Sequence, residues 1–159
     1  MDKKIKLAYS QSKIRYSYHN DVQEIEKLHL EKLIKGFELG RNQIWYNVGL
    51  GLLDKDVFKN RKPTVKLKLT SSFSNDKFAI VFEIVSESIL VTEDGKLTYE
   101  EYTNYINCNK EKLFDPLLLD AINHVLNVSK SFFGIPIFLD YRKAVMKNFK
   151  KNNNKGSGI

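Results

Sequence analysis

The chain has little of what metal sites, disulfide scaffolds and many catalytic centres require. Its 159 residues include one cysteine, Cys108, and three histidines, His19, His29 and His124. A single cysteine excludes a disulfide within the chain and a zinc site made of several thiolates, so Cys108 is expected to be a buried apolar residue. The histidines are too widely spaced to form a metal-binding motif, and no metal or other cofactor is expected.

Long apolar runs are also missing from the sequence. No stretch approaches ~18 consecutive apolar residues, which is the length needed to span a bilayer. The N-terminal Met-Asp-Lys-Lys-Ile-Lys is not followed by an apolar segment. The sequence therefore predicts neither a signal peptide nor a transmembrane helix, and we expect a cytoplasmic protein with no membrane partner.

Three strings of residues resemble functional motifs, and each has a simpler structural interpretation. Gly49-Leu50-Gly51 lacks the third glycine of the dinucleotide-binding fingerprint. Asp76 with Asp94-Gly95-Lys96 matches the acidic string of some metal-dependent nucleases, but Asp94-Gly95 is typical of a tight turn. Asp120 and His124 lie one helical turn apart, but no nucleophile lies near them in sequence, and we interpret them as a surface pair. The sequence predicts no enzyme.

The composition favours a folded core. Hydrophobic residues make up 42% of the chain and aromatic residues 12%, which excludes wholesale disorder. The length suits one domain, which we place over residues 1–150. Residues 151–159 are polar and are predicted to form a disordered tail.

Alternating apolar residues predict the strands. Residues 3–18 alternate on both sides of a polar break at Ser10-Gln11-Ser12, which predicts a β-hairpin with Ile14, Tyr16 and Tyr18 facing the core. Residues 41–63 follow no clear period, and Gly49-Leu50-Gly51 resembles a bend. Further strands are predicted over residues 44–46, 64–70, 78–85, 89–92 and 137–141.

Capping patterns and helical periodicity predict the helices. Asn20 or Asp21, with Glu24 after it, predicts a helix that ends near Gly40. Thr98 followed by Glu101 predicts a second helix start. Further helices are predicted over residues 117–133, directly after Pro116, and over residues 142–150. This order of elements predicts an α+β fold, with an antiparallel sheet of four to six strands and about three helices packed mainly on one face.

The net charge of +7 is distributed unevenly along the chain. Residues 1–80 carry 16 basic and 9 acidic side chains, residues 81–140 carry 4 and 10, and residues 141–159 carry 6 and none. Two basic ends around an acidic middle favour polyanionic partners, such as nucleic acid, a nucleoprotein or an acidic protein face. The alternative is that the abundance of lysine and asparagine reflects an AT-rich genome.

Two groups of basic residues are the candidate partner-binding sites. The first lies on the outward parity of the predicted strands and comprises Lys4, Lys6, Lys13, Arg15, Lys66 and Lys68, with Arg61 and Lys62 next to it in sequence. The second is near the C-terminus and includes Arg142, Lys143 and Lys147. The alternatives are a solvated sheet face whose lysines guard an edge against aggregation, and a solubilising tail.

In length and composition the chain resembles the small proteins of phages and mobile elements in low-GC bacteria. It is short, rich in lysine, asparagine and isoleucine, and without a catalytic constellation. In these respects it is similar to anti-CRISPR proteins that bind a type II effector nuclease. The resemblance implies a non-enzymatic counter-defence protein that docks on a bacterial effector nuclease or its guide nucleoprotein and inhibits it. The alternative is a direct nucleic-acid-binding regulator that uses the basic sheet face.

Overall fold

A computed structural model describes residues 4–8 and 12–155, with side chains up to residue 150. The strands are β1 (Ile5–Ala8), β2 (Lys13–Asp21), β3 (Ile44–Gly51), β4 (Thr64–Ser74) and β5 (Phe78–Thr92). The α-helices are α1 (Val22–Glu26), α2 (Lys55–Phe58), α3 (Tyr99–Cys108), α4 (Lys110–Phe133) and α5 (Tyr141–Lys155). The predicted α+β class is confirmed.

The strands form one antiparallel sheet in the order β1-β5-β4-β3, and β2 also pairs with β5. β1 pairs with residues 89–92 of β5, whereas β2 pairs with residues 78–85. The predicted hairpin between β1 and β2 is therefore wrong, because β5 is 15 residues long and offers a partner to each. β1 and β2 lie on one edge of the sheet, and β3 forms the other edge.

Helices α3, α4 and α5 cover one face of the sheet, which we call the helix face. Alternate residues of β4 and β5, such as Leu69 and Phe82, are buried there against Leu117 and Leu118 of α4. Each such side chain contributes about 1.5–3 kcal/mol when it leaves water. The main core lies on the face of β4 and β5 that their predicted alternation assigns to apolar residues.

The segment between β2 and β3 crosses the other face, which we call the open face. A smaller core forms there from Val22, Ile25, Leu30, Ala79 and Val81. The single helix predicted to end near Gly40 is wrong, since α1 ends at Glu26 and only a 3-10 turn at Leu30–Lys32 follows. His29 has a left-handed backbone with φ of 49°, which interrupts the helix before Leu30.

Three strand predictions also change. β5 runs without a break where strands were predicted over 78–85 and 89–92. β3 continues through the predicted bend, so Gly49, Leu50 and Gly51 lie in a strand. Residues 137–141 form no strand, and α5 begins at Tyr141.

The helix starts depend on local hydrogen bonds. The predicted capping box at Thr98 is confirmed: Thr98 Oγ1 accepts from the Glu101 backbone N–H at 3.2 Å, and Glu101 Oε2 accepts from the Thr98 N–H at 2.8 Å. α4 begins at Lys110, so Pro116 lies inside the helix and not at its first position. α5 continues to Lys155, so the predicted tail begins within a helix, and residues 156–159 lie outside the described residues.

Candidate binding groove on the open face

Four strands bring predicted basic residues into one lateral row. Lys13 of β2 and Lys68 of β4 both pair with Val85 of β5, and Gly49 of β3 pairs with Lys68. Because adjacent strands lie ~4.8 Å apart, the row extends about 14 Å across the open face. In this row Val85 lies between Lys13 and Lys68, and Gly49 lies beyond Lys68.

This row crosses a solvent-open groove of about 960 Å³, which we call the basic groove. Its floor includes the apolar side chains of Val85 and Ile89. Gly49 and Gly51 leave its β3 side without side chains. The groove is lined by Ala8, Lys13, Arg15, Gly49, Leu50, Gly51, Lys66, Leu67, Lys68, Val85, Ser86, Glu87 and Ile89.

Arg15 is the one cation of the groove that is held by a buried acid. Its Nη1 atom lies 2.9 Å from Glu83 Oε1, and the Glu83 side chain is only 8% exposed. Thr70 Oγ1 donates a 2.9 Å hydrogen bond to the second carboxylate oxygen of Glu83. Arg15 thus has an acidic partner within the sheet, which balances much of its charge.

The three lysines of the groove have more charge available. Lys66 Nζ lies 3.9 Å from Glu87 Oε2, in a long ion pair between two exposed side chains. Neither Lys13 nor Lys68 forms an ion pair with any residue that the structure describes. Lys13 and Lys68 can therefore each form an ion pair with an acidic side chain of another molecule.

A bulge in β2 changes which side chains reach the open face. The register with β5 shifts between Ile14 and Tyr16, which leaves Arg15 without an opposite residue. Tyr16 then pairs with Glu83, so Tyr16 and Tyr18 share the open face with Arg15. Their predicted orientation toward the main core is wrong, because a bulge inverts the alternation that follows it. Burial, and after it the Glu83 carboxylate, raise the pKa of Tyr16 to about 12.

The groove continues past Arg15 into a second cavity of about 300 Å³. Arg15 and Lys68 line both spaces, while Leu30 and Leu33 of the segment after α1 line the second. Leu33 is 78% exposed, so this end of the open face offers apolar surface to solvent.

The other residues predicted for the sheet patch lie outside the groove. Lys6 lies on the open face opposite Val91, and Lys4 precedes β1; both are exposed. Arg61 and Lys62 are exposed in the loop before β4, and Arg61 lines a separate cavity of about 450 Å³. The structure therefore brings together only Lys13, Arg15, Lys66 and Lys68 of the predicted patch.

The second predicted cluster lies in the opposite layer of the molecule, on α5: Arg142, Lys143 and Lys147. α5 packs on the helix face through Tyr141, whose hydroxyl lies 2.8 Å from Ser71 Oγ. Arg142 Nε lies 2.9 Å from Asp115 Oδ1, so this residue is engaged within the fold. The two basic clusters do not form one surface.

Asp120 and His124 of α4, the residues considered for catalysis, contact serines at the edge of the sheet that β1 and β2 form. Ser17 Oγ lies 2.9 Å from His124 Nε2, and Ser12 Oγ donates a hydrogen bond to Asp120. Asp120 and His124 are therefore not the surface pair that the sequence predicts, because each contacts a serine of the edge segment. Burial, and after it the nearby His19, lower the pKa of His124. The neutral imidazole is thereby favoured over the charged form, which suits a structural hydrogen bond.

Other chemistry-bearing groups were also located. Cys108 is a free thiol and is exposed, so its predicted burial is wrong; it lies at the end of α3, beyond the last buried turn. Within residues 4–8 and 12–155, no group of three or more His, Cys, Asp or Glu side chains could hold a metal ion. In the same ranges, no helix has both the length and the apolar character needed to cross a membrane.

Solved structures align with most of this chain. A protein of unknown function from Streptococcus agalactiae aligns with a TM-score of 0.52 and 14% identity, over 87% of this chain and 99% of that one. A SecB-like chaperone from Mycobacterium tuberculosis, solved with a peptide from the HigA1 antitoxin, aligns with a TM-score of 0.48 and 11% identity, over 84% of this chain and 85% of its own. No family model and no curated protein matches the sequence. At 14% identity, the likeness to the streptococcal protein shows a shared fold alone.

Proposed function

We propose that this chain is a non-enzymatic, cytoplasmic binding protein that docks through the basic groove on an acidic partner protein. The observation that carries the proposal is that Lys13 and Lys68, on either side of Val85, form no ion pair with any described residue. An acid from a partner could pair with each cation, while the apolar floor between them would leave water. Each such ion pair between solvent-accessible side chains contributes about 0.2–1 kcal/mol.

The carboxylates of the open face favour a protein over nucleic acid as the partner. Glu87 is exposed opposite Lys66 and would repel the regularly spaced phosphates of a nucleic-acid backbone, and the buried Glu83 already neutralises much of the charge of Arg15. A protein can place isolated carboxylates at Lys13 and Lys68 and keep other side chains near the glutamates. The groove therefore suits a partner with few, well-placed acids.

A direct nucleic-acid-binding regulator is the second candidate. The Tyr16 and Tyr18 rings lie with their centroids 5.5 Å apart beside Arg15, and Tyr18 is 43% exposed. Exposed aromatic rings next to cations are the usual surface for stacking unpaired bases. This candidate predicts an affinity that falls steeply with salt.

A bacterial nucleic-acid-processing nuclease, or its guide nucleoprotein, is the partner that we propose. The support is the resemblance in length and composition to small counter-defence proteins, together with a basic groove that could cover an acidic protein face. Docking there would hold the nuclease in one conformation or cover its substrate path, and would require no chemistry from this chain.

Binding to the groove can be measured by fluorescence anisotropy with a labelled peptide of glutamate and valine. We expect the double variant Lys13→Glu/Lys68→Glu to weaken binding by about ten-fold or more. The double variant Lys143→Glu/Lys147→Glu makes the same charge change on α5 and should leave the affinity within about two-fold. An equal loss in both variants would contradict docking in the groove. Tighter binding of a single-stranded DNA than of the peptide, lost on raising salt from about 50 to 200 mM, would favour the second candidate.

The identity of the partner needs a separate assay. A type II effector nuclease with its guide RNA should cleave a target duplex more slowly when this protein is in excess. The Lys13→Glu/Lys68→Glu variant should restore cleavage, and the α5 variant should inhibit as the natural chain does. Undiminished cleavage would remove this nuclease as the partner.

A further inference from the structure

The outer edge of β3 lacks charged side chains and proline, and the Phe37 ring packs against Trp45 near the start of the strand, with ring centroids 5.4 Å apart. The strand reads Ile-Trp-Tyr-Asn-Val-Gly-Leu-Gly, eight residues without a charged side chain or a proline. No strand in the described part of the chain pairs with its outer side. Native proteins usually protect an edge of this length with charges, proline, a bulge or a covering segment. An unprotected edge can hydrogen-bond to an added strand.

Gly49 allows a cation to reach this edge from the neighbouring strand. A Cβ atom on Gly49 would lie 3.3 Å from Lys68 Cε, so the aliphatic stem of Lys68 lies against the backbone of β3. Any larger residue at position 49 would displace the stem. Lys68 is also one of the two groove cations without an ion-pair partner among the described residues. The edge therefore has a cation on its open face although β3 itself is uncharged.

The helix face of the same strand is apolar. Val48 and Leu50 point toward the main core and remain only partly buried. A strand added beside β3 would extend both faces of the sheet, because successive side chains of a strand point to opposite faces. Its side chains on the open face would meet Lys68, and those on the helix face would meet Val48 and Leu50.

We infer that β3 accepts an extended segment of the partner as an added strand, in which acidic and apolar residues alternate. This inference rests on the proposed function and adds how the partner binds. Backbone hydrogen bonds to the edge would supply affinity, and the side chains that meet Lys68 and Val48 would supply specificity. The segment would run beside the basic groove, with its acidic face toward it.

Two peptides of about eight residues, the length of β3, test this mode. One alternates valine and glutamate, and the other has the same composition with all valines before all glutamates. We expect the alternating peptide to bind about ten-fold more tightly and to slow hydrogen exchange of the backbone amides in Ile44–Gly51. Lys68→Gln should weaken the alternating peptide by about ten-fold, whereas Lys147→Gln on α5 should have no effect.

The outcomes separate this inference from the proposed function. Equal binding of the two peptides without added protection of β3 would overturn strand addition and leave docking in the groove intact. Protection of β2 in place of β3 would also overturn it, since the added strand would then lie on the other edge. If neither peptide bound, the proposed function itself would be wrong.

Discussion

The edge formed by β1 and β2 carries Lys6, Lys13 and Arg15 and has a bulge after Ile14. The edge formed by β3 is continuous over eight residues and has no charge. Charges and bulges hinder pairing with a foreign strand, so the first edge is protected and the second is available. In a sheet whose groove opens between the two, this difference would give the proposed partner a defined side on which to dock.

The two edges also differ in how they are attached to the body of the protein. β2 is held by polar contacts on both faces, Arg15 with Glu83 on the open face and Ser17 with His124 on the helix face. β3 is held mainly by packing, and its Tyr46 hydroxyl donates a 3.0 Å hydrogen bond to the Ala144 carbonyl. Substitutions of polar groups and changes of pH should therefore affect the β2 edge more than the β3 edge.

The largest expected effect is at Glu83. Glu83→Ala should lower the free energy of unfolding by about 1–3 kcal/mol, because the buried Thr70 hydroxyl loses its acceptor. The exposed Arg15 adds little to this loss. Urea denaturation followed by Trp45 fluorescence measures the change. Glu87→Ala, on the same strand and face but exposed, should stay within about 0.5 kcal/mol, and an equal loss there would contradict the special role of Glu83.

Local patterns predicted the parts of the fold that local interactions determine. The capping box at Thr98 depends on residues three positions apart, and the alternation of β4 and β5 depends on a period of two; both are readable from the sequence. The pairing of β1 and β2 with the long strand β5 depends on contacts between residues that are far apart in sequence. Each of the two segments alternates correctly for a hairpin, so only the length of β5 decides against it.

The alternation of side chains along each strand predicted only which lysines of the groove face the open side. Lys66 and Lys68 face the open side because charged residues on a half-buried strand point to water. The bulge at Arg15 has no signal in the sequence, and it is what places Tyr16 and Tyr18 on this face. The pairing of Lys13 and Lys68 with Val85 depends on register between distant strands, which the sequence does not encode in any local pattern.

A smaller effect is expected from the hydrogen bond between β2 and α4. Ser17→Ala should cost about 0.5–1.5 kcal/mol, because the half-buried His124 loses its partner. Ser86→Ala is the matched control, since the Ser86 hydroxyl is buried on β5 without a hydrogen-bond partner among the described residues. This control should be neutral or slightly stabilising. If both substitutions lower the free energy of unfolding equally in urea denaturation, the hydrogen bond to His124 does not stabilise the β2 edge.

The pH dependence of stability should follow the same contact. Burial lowers the pKa of His124 in the folded chain, whereas the unfolded value is about 6.5. Below that pH the unfolded chain binds more protons than the folded chain, so stability should decrease as the pH falls. Unfolding midpoints measured at about pH 7.5 and 5.5 should differ less in His124→Gln. Asn123→Gln, at the exposed and non-titrating neighbour of His124 on α4, should leave the difference unchanged; an equal reduction there would show that the effect does not come from the His124 imidazole.

The smallest effect on stability, and the most direct test of the difference between the edges, is expected at Asn47. This residue is exposed on the open face of β3, opposite Thr70. Asn47→Lys places on β3 the kind of charge that already protects the other edge, and it should change the free energy of unfolding by less than about 0.5 kcal/mol. Asn20→Lys, at an exposed position of the protected edge, is the matched control. If β3 is the edge that accepts a partner strand, Asn47→Lys alone should reduce the protection of β3 amides by a peptide of alternating valine and threonine, which has no glutamate for the new charge to attract. Undiminished protection would show that the absence of charge on β3 is not what keeps this edge open.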